Sequence, residues 1–231
     1  MRFSAFFLRR IAILLAAVLG LATAAGGAAP NWLATVALTP QGSHVLGNPA
    51  ARLKVTAYIS YTCPHCAEFE RVSDAPLRLG YVAQGKVSFE VKHLLRDPVD
   101  ATVAQLANCG PKEKFFANHA TFMRRQNDWI APLASATAAQ RQRWSSGDHA
   151  AQRRAIASDF HLYEIMESRG YRRADLDRCL ADEALARRIA GHTVEAEKLG
   201  FESTPSFSLN GTPLIGTYSW LTLDAQLKAR L

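Results

Sequence analysis

The placement of strand signals limits this chain more than any other feature. Leu53 to Ser60 (LKVTAYIS) is β-branched, aromatic and largely alternating, which predicts a strand. Cys63 to Leu79 reads as a helix, and after breaks at Gly80 and Gly85, Val87 to Leu95 (VSFEVKHLL) reads as a second strand. Strand, helix, strand is a βαβ unit, whose two strands run parallel. From Val99 to Leu199 the strand signals stop. Helical composition or spacing covers 101–109, 112–125, 138–144, 148–168 and 183–199, punctuated at Cys109-Gly110-Pro111, Ala131-Pro132, Ser145-Ser146-Gly147 and Gly170. Strands return at Ser206 to Leu209 and Pro213 to Ile215, joined around Asn210-Gly211, a strong hairpin signal that outweighs the glycosylation triplet Asn210-Gly211-Thr212. A last helix is expected from Ser219 to Leu231. Asn31 to Asn48 reads as a lead-in without sustained periodicity. The expected class is therefore α/β, with a mixed central sheet and a large inserted helical domain.

The beginning of the chain is set aside from the fold. Met1 to Arg10 carries Arg2, Arg9 and Arg10 and no acid, Ile11 to Leu21 is uncharged and apolar, and small residues follow. That is the pattern of a secretory signal peptide, with Ala22-Thr23-Ala24 as the cleavage site. The apolar run is shorter than the ~20 residues a membrane-spanning helix needs. The expected organisation is a signal peptide over 1–24, a sheet domain over 25–98 and 200–231, and a helical insertion over 99–199. A periplasmic or secreted location follows from the signal.

Composition bears on partners. The formal net charge is +7, and removing residues 1–24 with their three arginines lowers it to +4. The remaining basic residues are dispersed along helical patterns, as solvated helix faces are, which argues against nucleic acid.

Cys63-Pro64-His65-Cys66 directly follows a strand and opens a helix. Unsatisfied N–H groups and the positive end of the macrodipole there favour a thiolate at Cys63, the nucleophile and leaving group of disulfide exchange. Pro64 suits the first helical position because it has no N–H to lose. His65 can add a hydrogen bond or partial charge, and Cys66, one turn deeper, is placed to resolve a mixed disulfide at Cys63. Zinc would require a second C-x-x-C or paired histidines, whereas Cys109 and Cys179 stand alone, so no metal is expected. An inert bond across so small a loop would restrict the unfolded chain little. No other cofactor is expected, since the cysteines carry the electrons. His93, His119, His149, His161 and His192 show no ligand spacing and read as ordinary surface or core residues. Phe115, Phe116, Phe122 and Met123 read as core, and Trp129 and Trp144 either pack or flank a groove.

With its signal pattern, its strand running into CPHC, its helical middle and Thr204-Pro205, the chain resembles the DsbA-like branch of the thioredoxin superfamily. The resemblance runs from about Gly47 to Leu231 and implies a thioredoxin fold. It implies that Pro205 is cis and faces the Cys63–Cys66 disulfide, with Thr204, Pro205 and Ser206 lining the substrate site. It implies a second, structural disulfide between Cys109 and Cys179, with free thiols or a second redox pair as alternatives. The activity implied is protein thiol:disulfide oxidoreductase, most simply a dithiol oxidase; a reductase or isomerase, or a redox-inert peptide-binding chaperone, are the rival readings. Partners implied are reduced or unfolded exported proteins and a membrane quinone-linked protein of the DsbB type, with the chain itself a monomer. One position departs from the family: many relatives carry a buried carboxylate six residues before the first cysteine, where this chain has Ala57. Glu90 and Lys92 on the next strand are candidates to replace it.

Overall fold

A six-stranded sheet in the order β1-β2-β4-β3-β5-β6 organises the molecule. Its strands are β1 (Val36–Leu38), β2 (His44–Gly47), β3 (Leu53–Ile59), β4 (Val87–His93), β5 (Ser206–Leu209) and β6 (Thr212–Pro213). The structure, a computed structural model, describes residues 30–145 and 147–231. The signal segment expected over 1–24 lies outside these residues. β3 and β4 pair in parallel, as the βαβ reading requires, and every other pairing is antiparallel. The sheet is therefore mixed.

The lead-in is the main correction. It supplies two strands, β1 and β2, which extend the sheet beyond β4. Both are too short to show a period of two, and β2 is anchored by pairing across to Ser88–Val91 rather than by its own composition. The hairpin at Asn210-Gly211 forms as expected, with φ values of 50° and 82°, but β6 is only two residues long and stops before Leu214.

Eleven helices of the α type are described: α1 (Pro64–Leu77), α2 (Pro98–Ala107), α3 (Phe115–Arg124), α4 (Gln126–Trp129), α5 (Pro132–Ser135), α6 (Ala138–Ser145), α7 (His149–Asp159), α8 (Leu162–Glu167), α9 (Arg173–Leu180), α10 (Glu183–Lys198) and α11 (Trp220–Lys228). The single helix expected over 148–168 breaks at His161, which adopts a left-handed conformation with φ 53°. α9 was not expected from the sequence. Its short, charge-rich stretch lies between Gly170 and the stronger pattern that follows, and Leu176 and Leu180 bury one side of it.

The two faces of the sheet are covered by different helices. Ala57 and Phe207 are register partners, and Phe69 of α1 packs on Phe207 with ring centroids 4.8 Å apart, so α1 covers that face. Thr56 and Tyr58 pair with Glu90 and Lys92 and point to the opposite face, because side chains alternate along a strand. There Glu195 of α10 accepts from Lys92 Nζ at 2.6 Å and from the Tyr58 hydroxyl at 2.9 Å. The main core runs from the sheet (Val55, Val91, Phe207) through α1 to Phe122, Trp129, Ile156 and Phe160 of the helical segment. Sheet and helical segment thus share this main core, and Tyr58, Ala196 and Phe201 form a second, smaller cluster on the α10 side. No described helix is long and apolar enough to cross a membrane.

Candidate active site

The loop between β3 and α1 carries Ser60, Tyr61 and Thr62 and delivers Cys63 as the N-cap of α1, with Pro64 at the first helical position. All three loop residues are buried, so their polar groups need protein partners. The helical segment supplies them. Gln126 donates to the carbonyls of Tyr61 (2.7 Å) and Cys63 (3.0 Å). Asp97 accepts from the Thr62 hydroxyl at 2.8 Å, and Asp100 accepts from the Tyr61 N–H at 2.7 Å. Asp97 also caps α2 by accepting from the N–H of Asp100, with Pro98 at N1. The Tyr61 hydroxyl meets His119 Nδ1 at 3.0 Å. The loop that aims the cysteines is therefore held by residues 35 to 65 positions further along the chain.

Cys63 and Cys66 are both reduced in the structure and both buried. Their environments push them apart. The Cys66 thiol donates toward Cys63, and this is the largest influence that lowers the Cys63 pKa to about 5; burial opposes it, while Thr204 and the N–H groups of Cys66 and His65 assist. The helix N-terminus contributes as expected, yet the second thiol contributes more. Cys66 moves the other way: burial first, then the neighbouring Cys63, push its thiol well above the ordinary value. One sulfur is set up as a thiolate and the other as a thiol.

The Thr204-Pro205 bond is cis, and the Cys63 sulfur lies 3.2 Å from the Thr204 carbonyl oxygen. Cys63, His65, Leu94, Arg96, Glu202, Ser203 and Thr204 line an open cleft of about 270 Å³. A second cleft of about 320 Å³ shares Glu202 and Ser203 and continues to Ile215 and Tyr218, both exposed. Ser206 is buried and donates its hydroxyl to the Ser203 carbonyl at 2.7 Å, so it braces the segment that carries Thr204. Pro64 and His65 are both exposed, and His65 lines the cleft.

Cys109 and Cys179 are joined by a disulfide with 5.9 Å between Cα atoms, tying the loop after α2 to α9. Trp129 and Trp144 are both buried and donate their indole N–H groups to the Phe122 carbonyl (3.0 Å) and to Asp159 (2.7 Å); they pack and do not flank the cleft. The sheet pleat puts Glu90 and Lys92 on the α10 face, away from α1 and Cys66. Glu90 accepts there from the hydroxyls of Ser43 and Thr56. Neither replaces the carboxylate absent at Ala57. Among the described residues no group of three or more His, Cys, Asp or Glu is arranged to hold a metal.

The sequence reading missed two things here. The buried Asp100 has no local signal beyond its place in the first turn of a helix. His93, His119 and His192, read singly, and His44, on which the sequence reading was silent, are all buried and adjoin one another around Phe115, with His93 and His192 rings 5.6 Å apart and His44 stacked on Phe115 at 4.0 Å.

A CxxC pair at a helix N-terminus beside a cis Thr204-Pro205 bond, on this mixed sheet, is the arrangement of a thioredoxin-fold protein. The chain belongs to the thioredoxin family, whose family model, described as Thioredoxin, matches residues 39–229. A crystal structure named protein-disulfide isomerase, from Novosphingobium aromaticivorans, is 50% identical with a TM-score of 0.78, over 81% of this chain and 96% of that one. The fold is also that of alpha-DsbA1 from Wolbachia pipientis, at 18% identity and a TM-score of 0.65 over 84% of this chain and 92% of that one. A Rickettsia prowazekii protein provisionally named a protein-disulfide oxidoreductase is 26% identical over 169 residues, 72% of this chain and 54% of that protein. The chain spans about half the length of the curated relatives it matches.

Proposed function

We propose that this protein is an exported thiol:disulfide oxidoreductase that acts as a dithiol oxidase, introducing disulfides into secreted or periplasmic proteins through Cys63 and Cys66. The observation that carries this reading is the split between the two thiols, with Cys63 held at about 5 and Cys66 pushed up. A stabilised thiolate favours the reduced form of the pair, so the disulfide is a strong oxidant.

In this reading a substrate thiolate attacks Cys63 of the disulfide, and Cys66 leaves. A second substrate thiol then displaces Cys63, which leaves readily as a thiolate. The substrate segment crosses the cleft beside Thr204 and Pro205, where Arg96 and Glu202 are among the lining residues. Clients are reduced or unfolded exported proteins, and reoxidation falls to a membrane quinone-linked partner of the DsbB type. The chain works as a monomer and needs no cofactor.

Equilibration of the Cys63–Cys66 couple with glutathione tests the direction. An oxidase has a potential near that of strong oxidants, roughly −120 mV; a value near roughly −270 mV overturns the proposal in favour of a reductase. The name of the Novosphingobium relative favours an isomerase as the second reading. Recovery of activity from a scrambled disulfide substrate, at a rate exceeding oxidation of the reduced one, selects it. A redox-inert chaperone predicts instead that Cys63→Ser retains full activity.

A further inference from the structure

One cation and one anion, Arg96 and Glu202, line the same cleft as Cys63 and Thr204. Both are exposed. Among the described residues neither side chain makes a hydrogen bond or an ion pair, with each other or with any neighbour. Exposed arginines elsewhere, such as Arg71, Arg172 and Arg173, are paired with carboxylates of the chain itself.

The backbone beneath each charge is fixed. The Leu94 N–H donates to the Ile59 carbonyl at 2.9 Å, the Leu95 N–H to Thr193 Oγ1 at 2.9 Å, and the Arg96 N–H to the buried Asp100 at 3.1 Å. Phe201, beside Glu202, is buried, lies on Tyr58 with ring centroids 5.0 Å apart, and donates its N–H to the Ala196 carbonyl at 3.0 Å. On the other side of Glu202 the Ser203 carbonyl is held by the Ser206 hydroxyl at 2.7 Å. Nor are these charges taken up in tuning the nucleophile. The influences that hold Cys63 as a thiolate come from Cys66, Thr204 and the N–H groups of Cys66 and His65. Arg96 and Glu202 are left for what enters the cleft.

A polypeptide that brings a cysteine to Cys63 carries the neighbouring side chains against the rest of the lining. In a cleft of about 270 Å³ those side chains lie within the Debye length of about 10 Å at 0.1 M salt. Opposite charges that meet there favour the encounter and like charges oppose it. We propose that Arg96 and Glu202 are specificity-determining residues, and that the site favours substrate segments with an acidic residue on one side of the reacting cysteine and a basic residue on the other. This deepens the oxidoreductase reading of the site and rests on it. The long-range field of a chain with net positive charge favours acidic segments instead, so the two effects make different predictions.

The test uses the reduced wild-type protein and capped peptides Glu-Gly-Cys-Gly-Lys, Lys-Gly-Cys-Gly-Glu, Glu-Gly-Cys-Gly-Glu and Lys-Gly-Cys-Gly-Lys, each as its pyridyl disulfide. The Cys63 thiolate attacks the peptide sulfur, the peptide–pyridyl S–S bond breaks, and pyridine-2-thione leaves with the electron pair and is read by its absorbance in stopped flow. Cys66 then displaces the peptide thiol and closes the Cys63–Cys66 disulfide. Each rate is divided by that of the same peptide with mercaptoethanol, a neutral thiol. The faster of the two mixed-charge peptides is expected to exceed both like-charged ones by about three- to tenfold at low salt, and the advantage is expected to shrink toward one at about 1 M sodium chloride. Arg96→Glu is expected to make the Lys, Lys peptide the fastest, and Glu202→Lys the Glu, Glu peptide. These ratios do not move with a general loss of activity or folded protein. A wild type that takes the Glu, Glu peptide as fast as the mixed ones overturns the proposal, and so does a mixed-charge preference that persists in both variants or at high salt. Failure of the oxidoreductase reading is distinct: the wild type then releases pyridine-2-thione no faster than Cys63→Ser with any of the peptides.

Discussion

Two sulfurs three residues apart behave as different chemical groups, and the cause is local. Cys66 is both the more deeply placed thiol and the donor that holds Cys63 as a thiolate. Replacing it therefore reaches beyond resolution. Cys66→Ala is expected to raise the Cys63 midpoint from about 5 toward the ordinary thiol range, read from thiolate absorbance against pH. The same variant keeps Cys63 competent to attack, so it accumulates mixed disulfides that gel shift or mass spectrometry detects. A Cys63 midpoint unchanged in Cys66→Ala would place the stabilisation in the helix N-terminus alone. The CPHC spacing made both cysteines legible at once. The ranking of the second thiol above the helix end was not legible, because it depends on where two side chains turn and not on their spacing.

At the level of elements, the loop ahead of α1 is short and buried, and α2 and α4 fasten it. Gln126→Ala removes the donor from two buried carbonyls, those of Tyr61 and Cys63. The expected loss is about 1–3 kcal/mol in urea unfolding, with a slower disulfide exchange at Cys63 because its backbone is no longer held. The strands β3 and β4 were readable from composition and alternation, and α1 from its N-terminal proline and the glycines that follow it. β1 and β2 were not readable, since three- and four-residue strands are made by their neighbours. The same holds for α8, which exists as a separate helix because His161 turns left-handed between Phe160 and Leu162. Glu90 and Lys92 show the value of register: a shift of one residue would have turned them toward α1, and the observed pairing turns them away.

For the whole molecule, stability depends on the second disulfide and on pH. The Cys109–Cys179 bond spans 70 residues of the helical segment. Its removal in a Cys109→Ala, Cys179→Ala double variant is expected to cost about 3–4 kcal/mol, measured as a lower urea midpoint with the CxxC pair intact. The pH dependence comes from the buried histidines. Burial lowers His44 to about 4, His93 well below its ordinary value, and His192 in the same direction, and each has an unpartnered Nδ1. The unfolded chain takes up these three protons near 6.5 and the folded chain does not, so stability is full above 6.5 and falls as pH drops toward 4. Asp100 opposes this with a single proton, since its folded pKa is the higher one. In the oxidised protein, where Cys63 and Cys66 do not titrate, the net slope is a loss with acid. Urea midpoints at several pH values check it; a flat profile between 7 and 5 would mean that the histidines find partners on protonation.

Local sequence sets the frame and marks the candidate site: a CxxC at the start of a helix, a parallel βαβ unit, a hairpin at Asn-Gly, and a helical segment between them. These are set by bonds and periodicities that span a few residues. Tertiary structure alone decided which groups surround the two thiols. Asp100, Gln126, Thr204 and the four histidines are far apart in the chain, and only tertiary packing brings them to their partners and removes water from them. Burial and proximity set the protonation of this site, and neither is a property of a short stretch of sequence.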